Sequence, residues 1–209
     1  MLSLSPTLAR RLAIARQRLA GPRPPANAAS ILDAARDLGC LQLDPISVVA
    51  RSHLLVLWSR FGVYDPAHLE NLLWRERRLF EYWAHVASIV LTEDYPIHQG
   101  RMRDYASGDA PWEQRTRAWV QANDALRQRI LARLREAGPM LARDFKDKTE
   151  VGWISGGWTT GRNVNQMLDY LWARGEIMVA GRSGLQKLWD LSERCLPDWT
   201  PRQTLSECE

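Results

Sequence analysis

The stretch "RNVNQMLDYLWARGEIMVAGRSGLQKLWDL", residues 162–191, constrains the fold more than any other part of the chain. Val164, Met167, Leu168, Leu171 and Trp172 recur at steps of three and four, which puts one apolar stripe along a helix. Two β-like runs follow, "EIMVA" and "LQKLWDL", joined by Gly181-Arg182-Ser183-Gly184 as a hairpin turn. Upstream, Trp119, Ala122, Leu126, Ile130 and Leu134 make one helical face ended by Gly138-Pro139. "MLARDF" then reads as a short second helix, and "GWISGGWTTG" as a glycine-rich entry to the third. Helix, helix, helix, hairpin is the order of a winged helix, whose third helix normally enters the major groove of DNA while the hairpin touches backbone or minor groove. A winged helix also serves as scaffold or protein contact, so this order alone leaves the function open.

Before that region the chain is helical with brief interruptions. Leu8, Leu12, Ala15 and Leu19 predict a first helix from Pro6 to Ala20 with its stripe facing a core, stopped at Gly21-Pro22. Asn27 caps a second, with Ile31, Leu32, Ala35 and Leu38 inward up to Gly39. "CLQLD" alternates as a short strand does, a third helix spans roughly 46–60, and a fourth starts after Tyr64-Asp65-Pro66 and runs through Leu69, Leu72 and Leu73. "LFEYWAHVASIVL" is aromatic-rich and is expected to pack on the first helices. "YASGDAPWEQ" has the composition of a connector and puts a boundary at 106–117.

Bulk properties narrow the classes. At 209 residues, 45% hydrophobic and 25% charged, the chain matches one large globular domain or two small ones. No apolar run approaches the roughly 20 residues that span a bilayer, and the N-terminus interleaves arginine with apolar residues, so a cytoplasmic location is expected. Cys40, Cys195 and Cys208 form no CxxC pair, which argues against a disulfide framework or a zinc site. The net charge of +4 is compatible with nucleic acid; the 25 Arg against 3 Lys behind it read first as base composition of the genome.

In "LGCLQLDPISVVARSH", a strand over 41–44 would project Gln42 and Asp44 from one face and Leu43 from the other. A carboxylate beside a carboxamide holds and orients a water molecule, and the negative charge steadies an oxocarbenium-like sugar, as in glycoside hydrolysis. Asp44-Pro45 is equally the signature of a helix start, in which the Asp merely caps backbone N–H groups. Spacing does not decide between these.

The words "ARRLAIARQRL", "LGCLQLDPISVVARSHLLVLWSRFGVYDP", "ERRLFEYWAHVASIV", "GWISGGWTTGRNVNQMLDYLWARGEIMVAGR" and "LQKLWDLSERCLP" supply more: in this order, over nearly the whole chain, they resemble the winged-helix DNA glycosylases of the YcaQ and AlkZ type. The resemblance implies a mainly α protein with small β elements, α+β, made of tandem winged-helix (helix-turn-helix) modules. Residues 1–105 would form the first, carrying the motif, and 118–198 the second. It implies a monofunctional glycosylase that needs no cofactor or metal, excises N7-alkylated purines and unhooks interstrand crosslinks in double-stranded DNA, as a nucleoid-associated monomer. The family's Gln-x-Asp motif falls on Gln42 and Asp44 as catalytic residues. An open basic surface, not a tight base-flipping pocket, would admit a crosslink. Members are longer, so the resemblance implies a family C-terminal domain expected to be missing from these 209 residues, and Val86 stands where many members have an acid. A regulatory DNA-binding protein and an inactive shortened relative are the alternatives.

By position, Arg51, Arg162, Asn163, Arg182 and Lys187 are the candidate DNA contacts. Trp153 and Trp158 are read either as rings presented to bases or as packing. His53 and His85 are read as core histidines.

Overall fold

The computed structural model describes residues 3–44, 46–146, 148–153, 162–203 and 205. They fall into two compact units that divide between Thr92 and Glu93, in a mainly helical chain with two small antiparallel sheets.

In the first unit, α2 (Ala28–Leu38) starts where Asn27 Oδ1 accepts from Ser30 N at 2.9 Å and ends at Gly39, whose φ of 75° favours glycine. It buries Ile31, Leu32, Ala34 and Ala35. β1 (Leu41–Gln42) follows at once, then α3 (Ser52–Phe61), and α4 (Ala67–Glu70) widening into a π-helical turn at Asn71–Arg75. β2 (Leu79–Trp83) and β3 (Ala87–Leu91) form a hairpin, and the strand order is β1-β3-β2. Ile31, Leu41, Leu57, Leu72, Leu79 and Ile89 meet in one core. The run that resisted assignment, "LFEYWAHVASIVL", is therefore the hairpin; both of its strands are buried nearly throughout, which erases the polar alternation that marks a strand.

Two readings of this half need correcting. Helix α1 (Pro6–Arg16) forms but ends four residues short of Ala20, with Arg18 at a left-handed φ of 53°, and it buries no residue: Leu8 and Leu12 stay 50% and 53% exposed. Capping by Ser5, whose Oγ accepts from Leu8 N, and proline in the first turn are enough to shape it without a core. The third helix begins at Ser52, not at residue 46, because the chain from Ile46 to Arg51 makes bends and takes no helical turn.

The second unit opens with α5 (Tyr95–Asp104), ahead of the 106–117 stretch, and α5 packs within that unit. A Cβ added to Gly175 would lie 2.5 Å from Met102 Sδ, and the Tyr105 ring meets Trp112 and Tyr170. The helical face read as one from Trp119 to Leu134 is two helices, α6 (Pro111–Ala122) and α7 (Asp124–Ala137). Asn123 breaks it. Its buried Nδ2 donates to Trp119 O and Val151 O, and its Oδ1 accepts from Glu150 N and Val151 N, so the side chain satisfies loop backbone that a helical residue would not reach. "MLARDF" is a strand, β4 (Met140–Leu141), and a 3₁₀ turn at Ala142–Asp144. α8 (Arg162–Ala173) leads into β5 (Ile177–Ser183) and β6 (Gln186–Leu191), with α9 (Ser192–Cys195) after them. The hairpin turns at Gly184-Leu185, two residues beyond the predicted centre, because Gly184 takes the left-handed φ of 59° that a two-residue turn requires. Strand order is β4-β6-β5.

The units thus repeat one plan: a helix ended by a left-handed glycine (Gly39, Gly138), a two-residue strand, further helical turns, and a hairpin with the first strand paired to its second arm. Among the described residues no helix is long and apolar enough to cross a membrane.

Candidate active site at the end of the first strand

β1 aims its residues as alternation dictates. Leu41 is 1% exposed in the core and Leu43 packs against the same cluster, while Gln42 is exposed and Asp44 half-buried. Gln42 pairs with Ser88, which pairs with Tyr82, so the three share one row across the sheet. Leu43 N donates to Ala87 O at 2.8 Å, which extends the pairing one residue past the strand and brings Asp44 level with Val86. Gln42 and Asp44 therefore leave the same face of one strand end, beside the tip of the β2–β3 hairpin.

That end is pinned by a residue the sequence reading did not single out. Ser52 Oγ donates to Gln42 O at 2.7 Å and accepts from Asp44 N at 3.2 Å, bridging the two motif residues through their backbones. Ser52 lies eight and ten positions away, at the first residue of α3, where no local spacing signals such a contact. The Asp44 carboxylate is partly engaged: Oδ1 accepts from Ile46 N at 2.7 Å, an Asx turn that steers the chain away from the strand. The capping suspected of Asp44 is real, although what it caps is a turn and not a helix; its second oxygen accepts no hydrogen bond from the described residues.

The remaining candidates are spread over both units. Arg51 precedes α3, half-buried, with its Nε lacking a hydrogen-bond partner among the described residues. Asn163 is occupied in binding its own loop: Oδ1 accepts from Trp153 N at 2.9 Å and Nδ2 donates to Thr149 Oγ1 at 2.8 Å. Lys187 Nζ sits 3.8 Å from the centre of the Trp172 ring and 4.9 Å from that of Trp189, so its charge is directed at indole faces. Arg182 belongs to β5 and donates to Leu185 O at 3.0 Å across the hairpin turn. The Arg162 side chain, Trp158, Gly156, Gly157 and Cys208 lie outside the described residues. Trp153 packs edge-on against Trp119 at 5.3 Å, with Arg115 over its ring, which is packing at the entry to α8. His53 is buried in α3 as read; His85 is exposed at the tip of the β2–β3 hairpin, so its place in a core is a misreading caused by apolar strand neighbours.

A further cationic feature emerges from the geometry. Arg129 and Arg133 of α7 and Lys146 and Lys148 of the following loop, with Asp144 as the one acid among them, line a groove of about 470 Å³ that also takes in Leu126, Ile130 and Phe145. Arg129 donates to Lys148 O at 2.7 Å, which ties the loop to the helix. Beside the motif, an apolar groove of about 570 Å³ runs along Val49, Leu54, Leu55, Trp58 and Tyr64; burial pushes the Tyr64 hydroxyl up to about 12, so it stays protonated and donates to Leu54 O. Among the described residues no cluster of three or more His, Cys, Asp or Glu side chains could hold a metal ion.

The model of a family described as "DNA glycosylase AlkZ-like" matches residues 35–208, which takes in the motif strand and most of both units. No solved structure matches the chain.

Proposed function

Because this chain belongs to the AlkZ-like DNA glycosylase family, we propose that it hydrolyses the N-glycosidic bond of N7-alkylated purines in double-stranded DNA, with Asp44 and Gln42 as the catalytic pair. The observation that carries this reading is the projection of both side chains from one face of a strand end whose backbone Ser52 holds. Alkylation at N7 leaves the purine cationic, so the C1′–N9 bond breaks with its electron pair going to the base and no general acid is needed. The deoxyribose becomes an oxocarbenium ion. The free oxygen of Asp44 stabilises that charge and takes a proton from water as it adds to C1′, and the Gln42 amide orients the water. The products are the alkylated base and an abasic site.

Both units read as winged-helix modules, supported by their shared element order and by strand orders in which the first strand joins the second arm of the hairpin. The pair beside a hairpin tip is partly exposed, a geometry compatible with a lesion still tethered to both strands, and crosslink unhooking is part of the proposal. With Asn163 and Lys187 held in internal contacts, the basic groove of Arg129, Arg133, Lys146 and Lys148 becomes the favoured backbone contact of the second module. A second reading, DNA binding without catalysis, draws on the bond from Ile46 N to Asp44. The two part in one assay: release of N7-methylguanine from duplex DNA, followed by alkaline cleavage at abasic sites, with Asp44→Asn expected to lower the rate about 10²–10³-fold. Binding without release by the native chain would select the second reading.

A further inference from the structure

We propose that the apolar loop from Ile46 to Ala50 is a wedge that enters the base stack beside the nucleotide being processed; this rests on the glycosylase reading of Gln42 and Asp44. Ile46, Val48 and Val49 are 69%, 90% and 87% exposed, three bulky β-branched side chains within four positions. Isolated exposed apolar residues are ordinary, but these are contiguous with Leu55 and Trp58, at 42% and 54%, along the apolar groove.

The loop is rooted in the motif at both ends. Ile46 N is bonded to the Asp44 carboxylate, and Ser52, just past the loop's other end, is bonded to Asp44 N and Gln42 O. Any deoxyribose placed at Asp44 therefore has this loop beside it. From Ile46 to Val49 the chain reaches at most about 10 Å, a span of about three base steps at 3.4 Å each.

The chemistry of the loop selects what it touches. Residues 46–50, "ISVVA", carry no charge, and Ser47 is their one polar side chain, so apolar surface dominates what the loop presents. Their complement is the apolar face of a base uncovered by unstacking, the surface that inserted apolar side chains occupy in DNA-kinking proteins. β-Branched side chains have few rotamers to lose on insertion, which suits a wedge better than flexible ones. Arg51, immediately after the loop, supplies the positive charge for the phosphate beside the opened step.

The test uses the full chain and a duplex with one N7-methylguanine flanked by 2-aminopurine, whose fluorescence rises on unstacking, together with the same strand alone. The native protein is expected to raise the emission on binding. The double variant Val48→Ser, Val49→Ser is expected to lose that rise and to lower the duplex-to-single-strand excision ratio about 10-fold or more. Ile97→Ser, at a 57% exposed position of α5 outside both the loop and the apolar groove, is the control, and a thermal melt verifies folding of each variant. An equal rise and an equal ratio in the double variant overturn the wedge, as does a native protein that binds the duplex without a rise. Loss of self-association in the double variant with emission unchanged overturns it too and assigns the loop to contact with a second copy. A native protein that raises the emission but releases no base keeps the wedge and removes the glycosylase.

Discussion

The ends of β1 and β4 are the same place in the two units and carry opposite chemistry. Each two-residue strand leaves a helix through a left-handed glycine, Gly39 or Gly138, and pairs with the second arm of its hairpin. Leu41 and Met140 both point into a core, at 1% and 8% exposure. The next residue differs: Gln42 is exposed, whereas Leu141 is 7% exposed. Three positions after the inward residue stand Asp44 in one unit and Arg143 in the other. One backbone plan therefore presents an amide and an acid in the first unit and a buried leucine and a cation in the second. The fold supplies a strand end beside a hairpin; the side chains decide whether that end performs chemistry or closes a module.

The largest effect expected from this contrast is on excision. Asp44→Asn should cost about 10²–10³-fold, equivalent to about 3–4 kcal/mol of barrier, while Arg143→Ala at the matching place should change the rate by less than about 2-fold. Single-turnover release of N7-methylguanine measures both. A comparable loss in the two variants would show that the strand ends do not differ in role.

Next in size is Asn123→Leu, which should lower stability by about 2–4 kcal/mol, because Glu150 N and Val151 N lose their acceptor and Trp119 O and Val151 O each lose one of two donors. Urea unfolding followed by near-ultraviolet signals of Trp119 and Trp153, whose rings pack there, reports it. If the units unfold separately, the transition of the first should stay where it is.

Acid should also strike the second unit. Burial, helped by Arg101, lowers His98 from 6.5 to about 4. The unfolded chain then binds this proton more readily than the folded one, so the contribution of His98 to stability is complete above pH 6.5 and is lost as pH falls toward 4. Between pH 7 and 5 the loss is about 2 kcal/mol, and His98→Gln should flatten the dependence of stability on pH across that interval.

How far the sequence anticipates all this depends on what each segment leans on. Ile31, Leu32 and Ala35 announce α2 because a cap, a stripe and a glycine agree locally. Leu41, Gln42 and Leu43 announce their alternation for the same reason, and with it the candidate pair. The stripe of α1 is just as regular, yet burial depends on a partner surface, and periodicity does not supply one. Helix continuity through Asn123 fails as an expectation because the loop it serves lies 27 and 28 residues on. The repeat between the units enters only through the family resemblance and not through a visible sequence repeat: "GCLQLD" and "GPMLARD" share the glycine and the inward apolar residue and little else.

Ser52 gives the smallest effect and the sharpest view of the contrast. In the second unit the strand end is closed locally, Leu141 N donating to Asp144 Oδ2 at 3.1 Å only three residues on. In the first unit closure comes from a hydroxyl at the far side of a loop, so the motif's position depends on a remote contact. Removing it with Ser52→Ala should cost about 1 kcal/mol of stability, the net worth of such bonds. Excision should fall about 10-fold, because an ångström of misplacement weakens the alignment of carboxylate, water and C1′. Ser52→Thr keeps the hydroxyl and should restore most of the rate, which loss of helix stability alone would not explain. Asp144→Ala in the second unit removes an analogous closure and should lower stability by a similar amount with excision unchanged. Equal losses of excision from both would mean that closure of either strand end acts through general stability, and that the first unit holds no privileged geometry.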